Sequence, residues 1–275
     1  MNKNIVALAA LALGAISAKA EDAAAAPAAA PAPAAAAVAP AAPASSLSIT
    51  STLGYESAYM NRGIQLADGI FTPAVNVSYG NFYAGLWMAL KEDSADSYPT
   101  ECDFSAGYNT EIASGLKLDV GATRYDYDRV LANIVSGKNG NSFEPYVGIS
   151  SDLVINPSFY VYYDTELNNY TMEAKIGHSF DTGVKNLTVN TSLAGGYVDN
   201  TDSIRFVDTY GHEISTDYWY SNAKADLVYA VNDKTSVSIG ARYSLADYDS
   251  VYGTVHSFDG RHDKIWFGAS FSTGF

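Results

Sequence analysis

The chain has 275 residues, with 16 Lys and Arg against 30 Asp and Glu, a formal charge of −14 at neutral pH, and one cysteine. So acidic a balance leaves no basic surface for nucleic-acid phosphates. A single thiol, Cys102, excludes an intrachain disulfide framework and, without partners, reads as a small filler near a strand end rather than a redox or nucleophilic group.

Residues 1–20 have the form of a signal peptide. Lys3 precedes an apolar stretch from Ile5 to Ile16, and Ala18-Lys19-Ala20 gives an A-x-A cleavage site, so cleavage is expected after Ala20. Its removal would take two lysines and no carboxylate, leaving −16. The apolar stretch is too short to cross a bilayer core of about 30 Å as a helix, and no later stretch reaches roughly 18 apolar residues. Residues 21–45 form an Ala/Pro-rich segment in which Pro27, Pro31, Pro33, Pro40 and Pro43 interrupt any polyalanine helix and favour extended backbone. Lacking charged or aromatic anchors beyond its start, it reads as an unstructured tail.

From residue 46 to the end, apolar residues recur with period two. Twelve runs are expected as strands: 46–59, 71–79, 81–91, 101–112, 115–127, 142–151, 157–164, 170–180, 186–198, 217–231, 234–247 and 263–275. A soluble β sandwich would alternate too, so the connections decide. Short links (Gly80-Asn81, 113–115, 153–156, 181–185, 232–233) alternate with mostly longer ones (60–70, 92–100, 128–141, 165–169, 199–216, 248–262). This is the pattern of a transmembrane antiparallel β-barrel with tight turns at one end and free loops at the other. An even strand count puts both barrel termini on the periplasmic side of an outer membrane, with residues 46–275 as the barrel. Tyr55, Tyr59, Tyr79, Phe82, Tyr127, Phe143, Tyr163, Tyr197, Trp219, Tyr229 and Phe275 near strand ends are candidates for interfacial girdles. Pro145 lacks a ladder donor and Arg124 falls on the nominal lipid face, so a bulge or an early membrane boundary is expected there.

By phase, Glu56, Asp103, Glu111, Asp119, Glu144, Asp164, Glu173 and Asp226 face inward with Arg62, Lys117, Lys175, Lys224, Arg242 and Lys264. Nearly balanced charge of this kind suits either a plug of ion pairs or opposed ladders across a pore. A lumen of twelve strands is wider than a side-chain-filled barrel of eight and narrower than a large porin, so a small channel is expected, with a plugged lumen as the alternative. If the first strand continues in phase past Tyr59, Arg62 projects into the lumen, where it would sort ions or pin a loop to the wall. Acidic residues concentrated in the long links would gather cations at the mouth, so weak cation selectivity is expected.

The final run, Lys264 to Phe275, resembles the C-terminal strand signal of outer-membrane barrels, which ends in an aromatic residue. The resemblance implies recognition by the barrel assembly machinery through Phe271 and Phe275. The stretch GYESAYMNRGIQL (54–66), followed by Pro73-Ala74 and GNFYAGLWMA (80–89), resembles the opening hairpins of the TorF-type family of exported porin-like barrels. Ser57, Tyr59, Arg62, Gly63 and Ile64 match its S-x-Y-x-x-R-G-I pattern. The resemblance implies an outer-membrane porin-like protein in contact with outer-membrane lipid and small solutes or ions.

Other chemistry is sparse. The chain has no G-x-S-x-G, H-E-x-x-H, C-x-x-C or phosphate-cradling loop, and no cofactor or metal is expected. A lipid hydrolase would need a serine beside a lipid-facing histidine. His178 is on the outward phase, with Ser192 or Ser221 as conceivable partners, and this is the least favoured reading, behind a channel and a non-conducting structural barrel.

Overall fold

The computed structural model describes residues 47–92, 100–127, 141–199, 206–207, 213–214, 217–247, 250–252, 255–258 and 262–275. The expected signal peptide, the Ala/Pro segment and several of the acidic loop residues lie outside them. Eighteen strands follow in chain order: β1 (Leu47–Glu56), β2 (Tyr59–Asn61), β3 (Ile64–Ala67), β4 (Ile70–Tyr79), β5 (Phe82–Lys91), β6 (Glu101–Ala113), β7 (Leu116–Tyr127), β8 (Ser142–Ser151), β9 (Ser158–Asp164), β10 (Asn169–Asp181), β11 (Leu187–Asp199), β12 (Phe206–Val207), β13 (Glu213–Ile214), β14 (Tyr218–Asn232), β15 (Thr235–Ala246), β16 (Ser250–Tyr252), β17 (Val255–Phe258) and β18 (His262–Gly274).

Twelve of these close a barrel in the order β1-β4-β5-β6-β7-β8-β9-β10-β11-β14-β15-β18, with β18 paired back onto β1. Neighbours are antiparallel throughout; Thr50 opposite Gly274 and Leu53 opposite Phe271 make the closing seam. These are the twelve expected runs, and closure leaves no edge whose peptide groups lipid would have to satisfy.

The two faces of the wall have different chemistry. Leu53, Val120, Ile149, Ile239, Ile265 and Phe267 stand exposed on the outside, while Asp103, Lys117, Asp119, Glu144, Asp226 and Arg242 are buried on the inside. A soluble protein would invert this arrangement; a transmembrane barrel requires it. Tyr79, Phe82, Tyr229 and Phe275 at the short-turn end, and Phe143 and Trp219 at the other, are exposed and form the girdles. Tyr59 and Tyr127 do not join them. Tyr59 is buried inside the barrel, and the Tyr127 hydroxyl points to Glu101 on the inner wall.

The short turns rest on residues that tolerate left-handed backbone. Gly80 (φ 57°) sits in the two-residue link between Tyr79 and Phe82, and Gly115 (φ 69°) in the next. Both ends of the barrel wall, at β1 and β18, lie at this short-turn end.

Three expectations need correction, and a fourth, a bulge or an early membrane boundary at Pro145 and Arg124, narrows to the boundary. Strand β1 stops at Glu56, so the run does not continue to residue 59 and Arg62 is not in phase with it. The link 60–70 is a hairpin, β2 and β3, turned into the lumen. The link 165–169 is tight: Asp164 faces Asn169 across it and accepts the amides of Glu166 (3.0 Å) and Leu167 (2.8 Å). Finally, there is no bulge at Pro145 or Arg124. Pro145 faces Ala122 in an unbroken β7–β8 ladder and lies just beyond the first β8–β9 pair, Tyr146–Tyr162, where no donor is needed. Arg124 is exposed and pairs with Asp126 (2.9 Å) near the long-loop end, consistent with a membrane boundary below it. Among the described wall strands the bulges lie instead at Glu111/Ala113 and Ala230/Asn232, beside short turns.

The two longest links also carry structure of their own. Strands β12 and β13, from the β11–β14 link, join β16 and β17, from the β15–β18 link, in a four-stranded sheet. This gives the long-loop end a pairing that no alternation in those segments revealed.

Tyrosine and glycine pair across the inner wall. Tyr83 lies over Gly107, Tyr146 over Gly121, Tyr160 over Gly148 and Tyr220 over Gly196, each directly opposite its partner in register, and a Cβ on any of these glycines would enter the phenol ring. Gly148→Ala is therefore expected to destabilise the folded barrel by about 1–3 kcal/mol through overpacking. The check is the urea midpoint of heat-modifiable gel mobility, with Gly148→Ala/Tyr160→Ala recovering part of the loss.

Candidate functional site in the barrel lumen

After Glu56 the chain leaves the wall at Ser57, enters the lumen, and reverses at Arg62-Gly63. Asn61 pairs with Ile64, and both intervening residues have positive φ, 47° and 85°, which is the geometry of a type I′ turn. Glycine adopts this backbone freely, and a Cβ at Gly63 would strike Tyr220 and Ala246. Arginine does not adopt it freely, at a cost of about 1–2 kcal/mol.

Ion pairing offsets that strain. The Arg62 guanidinium donates to both oxygens of Glu144 on β8, at 2.7 and 2.9 Å, and lies over the Tyr162 ring with 5.1 Å to its centroid. Tyr125 also donates to Glu144, at 2.9 Å. Strand β8 is five strands from β1 around a wall of twelve, so the turn is fixed to the opposite side of the barrel. A second tether is the Tyr59 hydroxyl, which donates to Glu101 on β6 at 2.9 Å.

Between these anchors the hairpin forms an apolar core inside the lumen. Tyr59, Ile64, Leu66, Ala67 and Ile70 pack with Trp87 and Ala89 of β5, Val198 of β11, Tyr218 and Tyr220 of β14, and Ala246 of β15. An isolated hairpin of this size is marginal in water, so contacts with the wall hold it. Burial of Ile64 and Leu66 contributes about 1.5–3 kcal/mol each.

The charged side chains fall into separate groups. Arg242 of β15 donates to Asp226 of β14 (2.6 Å) and to Glu56 (3.0 Å); Lys224 also reaches Asp226 (2.9 Å), and the Trp266 indole donates to Glu56 (3.0 Å). Nearer the short-turn end, Asp119 accepts the hydroxyls of Tyr83 (2.7 Å) and Tyr160 (3.0 Å), and Lys117 pairs with Asp152. Asp103 is buried beside Glu101, and neither of its carboxylate oxygens has a hydrogen-bond partner among the described residues. Glu173 accepts the Tyr220 hydroxyl at 2.7 Å. Carboxylates thus dominate the β6–β9 wall, while Lys175, Lys224 and Arg242 lie on β10, β14 and β15.

A partly open cavity of about 90 Å3 lies between the hairpin and the wall. Glu56, Arg62, Glu173, Lys175, Lys224 and Arg242 line it together with Trp87, Tyr125, Tyr162 and Trp266. Asp226 backs it, whereas Asp103, Lys117, Asp119 and Glu144 are engaged or buried in the wall away from its lining. Glu101, Tyr125, Tyr162, Tyr220 and Trp266 belong to this lumen but are absent from the sequence-based set. Glu101 shares the phase of Asp103 and was legible on that ground.

Of the other candidates, Glu111 accepts the Gly115 amide in a turn, and Lys264 keeps the inward phase. Phe271 and Phe275 are exposed on the outer face. His178 faces outward with Nδ1 2.7 Å from the Val154 carbonyl oxygen, against Phe180, while Ser192 lines the lumenal cavity on the other side of the wall. Ser221 faces Gly195 across β11, whereas the β14 residue level with Thr191, His178's partner, is Ala225. Among the described residues no group of three or more His, Cys, Asp or Glu side chains could hold a metal ion.

The fold and its faces define a transmembrane β-barrel with a charged lumen. Residues 40–156 match a family described as a bacterial protein of unknown function, Gcw_chp. No curated protein matches the chain. Among solved structures the chain is similar to the NanC porin, at 11% identity over 82% of this chain and 98% of that one, with a TM-score of 0.47. LpxR from Salmonella typhimurium follows at 9% identity over 82% and 99%, with a TM-score of 0.42. OprD from Pseudomonas aeruginosa matches at 12% identity over 82% and 65%, with a TM-score of 0.37.

Arg62→Ala would leave Glu144 buried without its cation, a loss of about 3–5 kcal/mol in comparable buried pairs. Hydrogen exchange should then show fast amides at residues 59–67 while the wall strands stay protected.

Proposed function

We propose that the barrel spans a bacterial outer membrane and passes small hydrophilic solutes or ions by passive diffusion, with both barrel termini periplasmic. The observation that carries this reading is the lumenal cavity, whose lining of charged and aromatic groups suits water and polar solutes rather than lipid. The signal-peptide pattern and the terminal aromatic strand support export and insertion, with Phe271 and Phe275 presented to the barrel assembly machinery.

The inward hairpin is the constriction of this channel, and Arg62 sets its position. Acidic residues at the long-loop end, including Glu92, Asp126, Asp199, Asp217 and Asp247, favour cations at the mouth. A second reading has its own support: the apolar packing of the hairpin across the lumen would suit a barrel that stays closed and serves as a structural or surface-interaction element. A hydrolase is the weakest reading, since Ser192 opens to the lumen, on the other side of the wall from His178, and Ser221 is not level with that histidine.

The experiment is a planar-bilayer recording of the folded barrel under a salt gradient. Discrete open steps with a reversal potential on the cation side are expected. A chloride preference would refute the selectivity, and silence from protein shown to be folded would favour the closed barrel.

A further inference from the structure

We infer that the lumen carries a recognition niche for small organic carboxylates on the β10–β11–β14 wall; this deepens the channel reading and rests on solutes reaching the cavity. Lys175, Ala194 and Asn222 stand level on the three adjacent strands, Lys175 opposite Ala194 and Ala194 opposite Asn222. All three line the cavity. Strands are spaced about 4.8 Å apart, so the two flanking Cα atoms are about 10 Å from each other with only a methyl group between them. The result is a slot with a shallow apolar floor and a polar side chain on each flank. One step along β11, Ser192 lines the same cavity and faces Lys224.

The hydrogen-bonding inventory of the slot gives its ligand chemistry. Three of the four cations lining the cavity are matched to carboxylates: Arg62 to Glu144, Arg242 to Asp226 and Glu56, and Lys224 to Asp226. Lys175 has no carboxylate within 4.0 Å among the described residues, and the nearby Glu173 accepts the Tyr220 hydroxyl. Asn222 uses its carbonyl oxygen to accept from Ser244 (2.6 Å), which leaves its NH2 group to donate. The Ser192 hydroxyl likewise has no partner among the described residues. On the acceptor side, Glu56 is occupied by Arg242 and Trp266. The slot therefore offers one ammonium, one amide NH2 and one hydroxyl as donors, and a carboxylate with two acceptor oxygens is their complement. The acidic mouth acts on ions at long range; the niche acts at contact distance on a solute already inside.

The test is isothermal titration of the folded full chain in detergent with sodium gluconate, using glucose as the uncharged counterpart and heat-modifiable mobility to verify folding of every variant. Gluconate should bind and glucose should not. Lys175→Gln and Ala194→Leu, which respectively remove the charge and fill the floor, should each weaken gluconate binding about tenfold or more. Lys234→Gln, in the β14–β15 turn, should leave it unchanged. Absence of gluconate binding to the folded wild type, equal binding of glucose, or unaltered binding by Lys175→Gln would overturn the niche. Because binding is read without conduction, a barrel that binds gluconate yet shows no open steps keeps the niche and loses the channel. A barrel that conducts without binding does the reverse.

Discussion

Peptide groups cannot go unpaired in lipid, and from that constraint the rest of this structure follows. A strand in hydrocarbon must have a partner on both sides, so the sheet closes, with β18 returning to β1. Closure of twelve strands produces a lumen that side chains alone do not fill, because interior width grows with strand number. Period-two alternation then assigns the polar half of every strand to that lumen. The charged interior is thus a geometric consequence of an apolar exterior, and the remaining question is what occupies the space.

Part of the answer is the chain itself. The hairpin of β2 and β3 crosses the lumen and carries its own apolar residues, so the barrel interior acquires a small core like that of a soluble protein. The Arg62–Glu144 pair fixes where the hairpin ends. Its energetics are delicate: both ions are withdrawn from bulk water, and Arg62 holds a left-handed backbone conformation that disfavours any residue with a β-carbon. Two hydrogen bonds from one guanidinium, a third from Tyr125 and the face of Tyr162 compensate. Removing one partner should cost more than the pair contributes, which suits a positional pin. The tyrosine–glycine pairs serve the wall in a similar way. By lying flat over glycines, the rings cover backbone without filling the cavity.

Most of the wall was legible in the sequence. Alternation gave the strands within a few residues, and short links rich in glycine and asparagine marked one end. Alternation also assigned the inward charges, because period two leaves a side chain only two choices. What alternation could not show was a change of direction. Tyr59, Ile64 and Leu66 have the composition of an outward strand, and only the turn at Asn61-Arg62-Gly63-Ile64 distinguishes a hairpin folded inside from a strand running on. Tyrosine was equally ambiguous, since a ring with a hydroxyl suits a membrane interface and a polar lumen alike; Tyr79 went to one and Tyr127 to the other. The pairing of the two long links into a sheet depends on contacts between segments far apart in the chain, which local pattern does not encode.

If the hairpin sets the width of the lumen, excising it should widen the pore. Glu56 and Ile70 face each other in the β1–β4 ladder, so an Asn-Gly link in place of residues 57–69 joins two paired positions and keeps that ladder whole. The measurement is the single-channel conductance of this shortened barrel, beside that of the full chain in the same bilayer. A several-fold larger conductance is predicted from a barrel whose wall still resists heat. An unchanged conductance in the same folded barrel would mean that the constriction lies elsewhere and that the hairpin does not set the width of the lumen.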